Sequence, residues 1–196
     1  MTLQCGGRFR KSLLALPTVH PIRNAKSSTI VAVFVDTNVL VYWRDRRYPV
    51  KQAQAEEWMK ALWSSRTGRT SVQVLSEFYV TATRKLAMSS LEAWDDVTTH
   101  LAWHPQETTP ELLRRAHEIE TRFQLTWWDS LIVGAAQLQN CSVLLTEDMQ
   151  HGQNIEGLEI RDPFKSSVNE PLPQYAHVSQ VLHPRRGRPT KSLRAT

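Results

Sequence analysis

The sequence predicts an α/β fold with a parallel sheet, on the strength of two apolar runs and one helix. Val31, Val33, Phe34 and Val35 form a short run rich in β-branched residues without helical spacing, the pattern of a strand buried on both faces. Ser142 to Thr146, SVLLT, repeats that pattern far along the chain. The segment just before it, through Leu131, Ile132, Val133, Ala135, Ala136 and Leu138, is nearly apolar all round, as in a helix packed against a sheet. Both apolar runs stop at acid, the first at Asp36-Thr37-Asn38 and the second at Glu147-Asp148. Ligands and catalytic groups gather beyond the carboxyl ends of strands in open α/β sheets, so these acids are placed for chemistry. Asp36 is equally suited to cap the helix expected to begin near Val39.

The other elements follow in order. Val39 to Trp43 start a helix that gives way to the charged, Pro-containing turn Arg44 to Pro49. A second helix, about Val50 to Ser64, carries an apolar stripe of Ala53, Ala55, Trp58, Met59, Leu62 and Trp63. Gly68 breaks the pattern. A third helix, about Val72 to Leu86, turns Val74, Leu75, Phe78, Tyr79 and Ala82 inward, with Glu77 beside the stripe at a position where an isolated Glu faces water. Ser89-Ser90-Leu91-Glu92 has the form of a capping box and opens a helix to about Leu101. His100 and His104 stand four apart, but Pro105 follows and no Cys or third ligand is near, so surface or boundary histidines are expected rather than zinc ligands. Thr109-Pro110-Glu111 start a fifth helix, with Leu112, Leu113, Ala116, Ile119 and Phe123 on its apolar face. Thr126-Trp127-Trp128-Asp129 opens the sixth, where Asp129 is either a capping acid or a carboxylate held ionised by the helix dipole. Leu158 to Ile160 alternates as a short last strand before Asp162-Pro163-Phe164.

Composition sets the outer limits. A chain of 196 residues is expected to hold one domain with a real core. No apolar run approaches the roughly 20 residues of a membrane span, so no membrane partner is expected. The two cysteines, Cys5 and Cys141, have neither metal nor disulfide spacing, which fits a reducing, cytoplasmic setting. The net charge of +5 divides unevenly. Residues 1–30 carry five basic residues and no acid, residues 165–196 six against one, and the middle 13 against 18. The chain is therefore expected to divide into a poorly ordered basic leader (1–29), a folded domain (30–164) and a disordered basic tail (165–196).

Four acids thus gather on strand ends and apolar helices: Asp36, Glu77, Asp129 and Asp148. Clustered without a counter-ion they would be costly, since two unit charges about 4 Å apart repel by roughly 4 kcal/mol at an effective dielectric near 20. A divalent cation removes the objection. An all-oxygen donor set is the preference of Mg²⁺ or Mn²⁺, and the lack of a Cys/His cluster argues against zinc. The expected chemistry is metal-dependent phosphodiester hydrolysis. No G-x-S-x-G elbow, P-loop or G-x-G-x-x-G fingerprint occurs.

Four stretches, FVDTNVLVY (Phe34 to Tyr42), VLSEFYV (Val74 to Val80), WWDSLIVGAA (Trp127 to Ala136) and VLLTEDMQHG (Val143 to Gly152), give the chain a family likeness. Over about Val31 to Phe164 it resembles PIN-domain ribonucleases, and most closely the VapC-like toxins of type II (VapBC) toxin–antitoxin modules. The resemblance implies an α/β/α sandwich with a central mainly parallel sheet, one or two Mg²⁺ or Mn²⁺ ions, endonucleolytic RNA cleavage, a homodimer and inhibition by a cognate antitoxin. It places Asp36, Glu77, Asp129 and Asp148 on the family's catalytic, metal-binding acids, with Glu147 beside Asp148 as the alternative fourth acid. Thr37 or Asn38, and Thr146, match polar residues that orient ligands or water.

In the basic tail, Arg185-Arg186-Gly187-Arg188-Pro189 resembles the AT-hook, whose arginines enter the narrow minor groove of A·T-rich DNA, so Arg186 and Arg188 are candidates for a DNA contact. The alternative to a nuclease is a non-enzymatic nucleic-acid-binding or interaction module that keeps the fold and works through its basic tails. Against it stands the acidic set, because a binder gains little from clustered charges that repel its ligand.

Overall fold

A computed structural model describes residues 31–172. In chain order these form β1 (Ala32–Val35), α1 (Thr37–Arg44), α2 (Pro49–Ser65), β2 (Gly68–Arg69), α3 (Val72–Lys85), α4 (Ser90–His100), a 3-10 turn (Leu101–Trp103), α5 (Pro110–Phe123), α6 (Trp127–Leu138), β3 (Cys141–Leu145), β4 (Asn154–Ile155) and β5 (Leu158–Arg161). The strands make one sheet in the order β2-β1-β3-β5-β4, parallel throughout except where β4 runs antiparallel to β5. Six helices flank it, which is the α/β sandwich the sequence predicts. The two central strands explain the unbroken apolar runs: Val33, Phe34, Val35, Val143, Leu144 and Leu145 are all fully buried, so no residue on either face needs to be polar.

Helix starts follow the local chemistry of the sequence. Ser71 accepts from Val74 N, Thr109 from Leu112 N with Pro110 in the first turn, and Ser89 with Glu92 forms the complete capping box. Within the expected stripes, Ala53 and Leu113 lie exposed at the edges, and Val74, Leu75, Phe78 and Ala82 carry the inner face of α3.

Two strands carry no period in the sequence, because each is only two residues long. β2 is held to the centre by Val33 N donating to Thr67 O at 3.0 Å and by the pairing of Val33 with Gly68. Gly68 is therefore a strand residue rather than a simple break. A Cβ there would stand 2.6 Å from the Trp103 ring, so the indole occupies the space a side chain would need.

His100 corrects the expectation of a surface or boundary histidine: it is 1% exposed. The buried residues of α4, Ala93, Asp96, Val97 and His100, follow helical spacing and place the imidazole on the inner face. Trp43, Trp63 and Trp103 surround it at ring separations of 5.6, 5.6 and 5.0 Å. Its Nδ1 lies 2.7 Å from Asp96 O, and burial lowers its pKa. His104 stands apart, exposed after the 3-10 turn.

At the carboxyl end the chain stays packed on the domain past the boundary expected at Phe164. Ser166 is buried with its hydroxyl donating to Asp162 O at 2.7 Å, Arg161 donates to Pro171 O, and Val168 and Leu172 rest against the core. The basic leader, 1–29, and the candidate DNA-contacting arginines Arg186 and Arg188 lie outside the described residues. Among the described residues no helix is long and apolar enough to cross a membrane.

Candidate active site at the carboxyl edge of the sheet

The parallel pairing of β1 with β3 sets Val35 opposite Leu145, so Asp36 and Thr146 leave the sheet side by side. Asp36 N donates to Leu145 O at 3.1 Å, extending the ladder by one bond. The carboxylate of Asp36 then serves twice. Its Oδ1 accepts from Thr37 N at 2.7 Å and caps α1, while its Oδ2 accepts from the Thr146 hydroxyl at 2.8 Å. Cap and candidate site are thus one side chain.

Asp36 is 7% exposed, and that burial pushes its pKa up to about 7. The negative charges of Asp148 and Glu77 add to the rise, and the bonds from Thr146 and Thr37 only partly oppose it.

The first turn of α1 ties two more acids to this point. Asn38 Nδ2 lies 2.9 Å from Asp148 Oδ2, 2.9 Å from the Thr146 hydroxyl and 3.3 Å from Asp36 Oδ2, so two amide hydrogens serve three acceptors. Asp148 N donates back to the Thr146 hydroxyl at 3.1 Å. From the other side, the Thr37 hydroxyl donates to Glu77 Oε2 at 2.8 Å, and Gln73 Nε2 donates to Glu77 Oε1 at 3.0 Å. Glu77 is exposed, reached from α3 across the gap to α1.

Of the neighbouring acids after β3, Asp148 is the one beside Asp36. Glu147 turns away into an ion pair with Lys51. The Lys51 ammonium also reaches the Tyr42 hydroxyl at 3.1 Å and stands 4.2 and 4.8 Å over the Tyr42 and Phe164 rings. Nothing in the sequence pairs Lys51 with Glu147, since they are 96 residues apart.

Asp129 is placed differently. Only Gln139 and Asn140 separate α6 from β3, so the helix runs back along the sheet and its first turn lies at the same carboxyl edge. Its carboxylate accepts from the Thr126 hydroxyl at 2.7 Å while Asp129 N donates to that hydroxyl at 3.2 Å. No hydrogen bond joins it to Asp36, Glu77 or Asp148. The structure brings three of the four acids together around Thr37, Asn38 and Thr146, and leaves Asp129 on the facing helix.

Among the described residues no three His, Cys, Asp or Glu side chains converge into a ready-made metal cage. The donor chemistry nevertheless fits Mg²⁺ or Mn²⁺, which keep several waters and are held through one or two carboxylates. Asp36 and Asp148 supply such a pair, and a cation would offset the burial and repulsion that raise Asp36. The other branch of the Asn38 amide, Oδ1, is buried and without a partner. Glu77 and Asp148 open onto a hollow of about 390 Å³ that Thr37, Asn38 and Glu147 also line, with Arg47 and Lys85 at its rim.

Comparison with known proteins agrees with this architecture. The PIN domain family model matches residues 33–153. A toxin–antitoxin complex from Klebsiella pneumoniae contains a chain similar to this one at 19% identity and a TM-score of 0.50, covering 67% of this chain and 97% of that one. VapC20 from Mycobacterium tuberculosis, a toxin that cleaves the sarcin-ricin loop, is similar at 18% identity and a TM-score of 0.45, covering 60% of this chain and 92% of that one. No curated protein sequence matches at a significant level.

Proposed function

The chain belongs to the PIN-domain family, and on that premise we propose that it is an endoribonuclease dependent on Mg²⁺ or Mn²⁺ and the toxin of a toxin–antitoxin pair. The observation that carries the reading is Asp36: a carboxylate 7% exposed, fixed between two strand ends and set beside Asp148 and Glu77. No structural purpose requires three acids there, because the cap of α1 needs only Asp36 Oδ1.

In this reading Asp36 and Asp148 would hold the ion, with Glu77 and Asp129 completing the acidic set. The chemistry such an ion would supply when bound is polarisation of the phosphodiester, a lowered pKa for a water and neutralisation of charge on the leaving oxygen. The protein supplies position. Thr146 and Asn38 fix the orientation of Asp36, Thr37 fixes Glu77, and the capping hydroxyl of Thr126 fixes Asp129. The nucleophile is water, which attacks phosphorus as the bond to the leaving oxygen breaks, the water's proton passing to that oxygen, so no covalent enzyme intermediate forms.

The remaining proposals follow from the toxin reading: a homodimer working in the cytoplasm, with an antitoxin protein as its inhibitor. The Klebsiella chain, found in a toxin–antitoxin complex, supports the antitoxin partner.

The test is cleavage of a mixed RNA substrate by purified, antitoxin-free protein with Mg²⁺ or Mn²⁺. Cleavage should disappear with EDTA and with Asp36→Asn. Cleavage that survives in a folded Asp36→Asn protein would overturn the site, and no cleavage by a folded, metal-loaded wild type would favour the non-enzymatic binding module.

A further inference from the structure

Beside the acids lies a hollow of the opposite charge. It measures about 530 Å³ and sits where the end of α1, the start of α2 and the last turn of α3 meet. Four basic side chains line it, Arg44, Arg46, Arg47 and Lys85, against the two acids Asp45 and Glu92. The lining of the acid hollow is the reverse, with four acids and two basic residues. Asp45, Arg47, Lys85 and Leu86 belong to both. The two hollows therefore adjoin, and the balance of charge in their linings reverses from one to the other.

The cations are not equally free. Arg44 is paired with Asp96. Arg47 makes a two-pronged pair with Asp45, Nε to Oδ1 and Nη2 to Oδ2 both at 2.8 Å, and Asp45 is only 4% exposed. That pair fixes the guanidinium and leaves its Nη1 without an acceptor among the described residues. Glu92 is turned into its own helix cap, taking bonds from Ser89 N at 2.9 Å and the Ser89 hydroxyl at 2.6 Å. Arg46 and Lys85 are exposed and have no acidic partner among the described residues.

A polyanion cannot approach the carboxylates of Asp36, Glu77 and Asp148 unless flanking charge is offset close by. Phosphate contacts position a nucleic acid without reading its sequence, and exposed Arg and Lys beside a cleavage site are what such contacts require. We propose that the basic hollow is a phosphate subsite that takes the backbone of the RNA next to the scissile phosphate. Arg46 and Lys85 supply the unpaired charges, and Arg47, anchored by Asp45, marks the junction with the acid hollow. The inference rests on the nuclease reading above.

Arg47 is unsuited to the test, because removing it leaves Asp45 buried and unpaired. Arg46→Gln and Lys85→Gln avoid this, with Lys60→Gln on the exposed face of α2 as a control. Binding of a short labelled polyuridine RNA is followed by anisotropy in EDTA at several salt concentrations, so that no cleavage intervenes. Each variant should bind about three- to tenfold more weakly, with the slope of log K against log salt flatter by about 0.7 for a single strand. Lys60→Gln should match the wild type. In cleavage assays the two variants should raise KM and keep kcat.

Failure of the two readings is distinguishable. RNA binding by both variants that equals the wild type overturns the subsite, even where metal-dependent cleavage and its loss in Asp36→Asn are intact. Weakened binding in both variants, together with no metal-dependent cleavage by the wild type, overturns the nuclease and retains the hollow as an RNA-binding surface.

Discussion

Asn38 Nδ2 stands 2.9 Å from Asp148 Oδ2, so an amide in the first turn of α1 holds the carboxylate that follows β3, 110 residues away in the chain. The same amide touches Thr146 and Asp36, which makes Asn38 the link that sets the separation of the two acids. Replacing it with Ala should reduce cleavage by about 10- to 100-fold, the usual cost of losing a group that orients a metal-binding side chain. A steady-state assay with titrated Mn²⁺ should show the loss partly recovered at high metal. An Asn38→Ala protein with wild-type metal dependence would show that Asp148 needs no such support.

Asp36 makes stability depend on pH with a definite sign. Its folded pKa is about 7 against 3.8 for the ordinary group, so the folded state binds the extra proton between those values. The stabilisation is therefore present at low pH and is lost as pH rises through about 7, by on the order of 4 kcal/mol at most. Urea unfolding in EDTA should give a lower midpoint at about pH 8 than at about pH 6, and Mg²⁺ should restore it at the higher pH. Asp36→Asn should flatten this dependence while abolishing cleavage. Parallel pH curves for the two proteins would remove Asp36 as the cause.

The neighbouring acids after β3 should separate cleanly. Asp148→Asn should lower kcat by about 100-fold or more, because it strips charge from the group facing Asp36. Glu147→Gln breaks only the pair with Lys51, a partly exposed contact worth about 1 kcal/mol or less, and should keep cleavage within about threefold. The reverse ranking in a single-turnover assay would exchange their roles.

Gly68→Ala tests the packing behind the site. The new Cβ would meet the Trp103 ring at 2.6 Å, and that ring is wedged against Trp63 and His100 at 5.0 Å each. Overpacking of this kind typically costs about 1–3 kcal/mol. Thermal or urea unfolding should show a loss in that range, with tryptophan fluorescence altered; an unchanged midpoint would mean that the indole shifts at no cost.

Much of this protein is legible in its sequence because the determining interactions are local or periodic. Val33 to Val35 and Val143 to Leu145 announce central strands by having no polar face, and Ser71, Ser89, Thr109 and Thr126 announce helix starts by sitting beside unpaired backbone donors. The acids at the ends of the two apolar runs are visible for the same reason: a carboxylate abruptly ending a buried strand has few structural purposes. The burial of His100 is not legible in the sequence, because the three tryptophans that enclose it come from separate elements.

What the sequence alone determined is the six helices, the strands β1, β3 and β5 and the candidate acids, since hydrophobic period and capping chemistry act over a few residues. Only the tertiary structure decided how the acids stand to one another. The register of β1 on β3 puts Asp36 against Thr146, Asn38 then selects Asp148, and Lys51 draws Glu147 away, while Asp129 stays on its own helix cap. Those choices rest on contacts between residues about 100 positions apart. They depend on sheet order and helix packing, which no local pattern encodes.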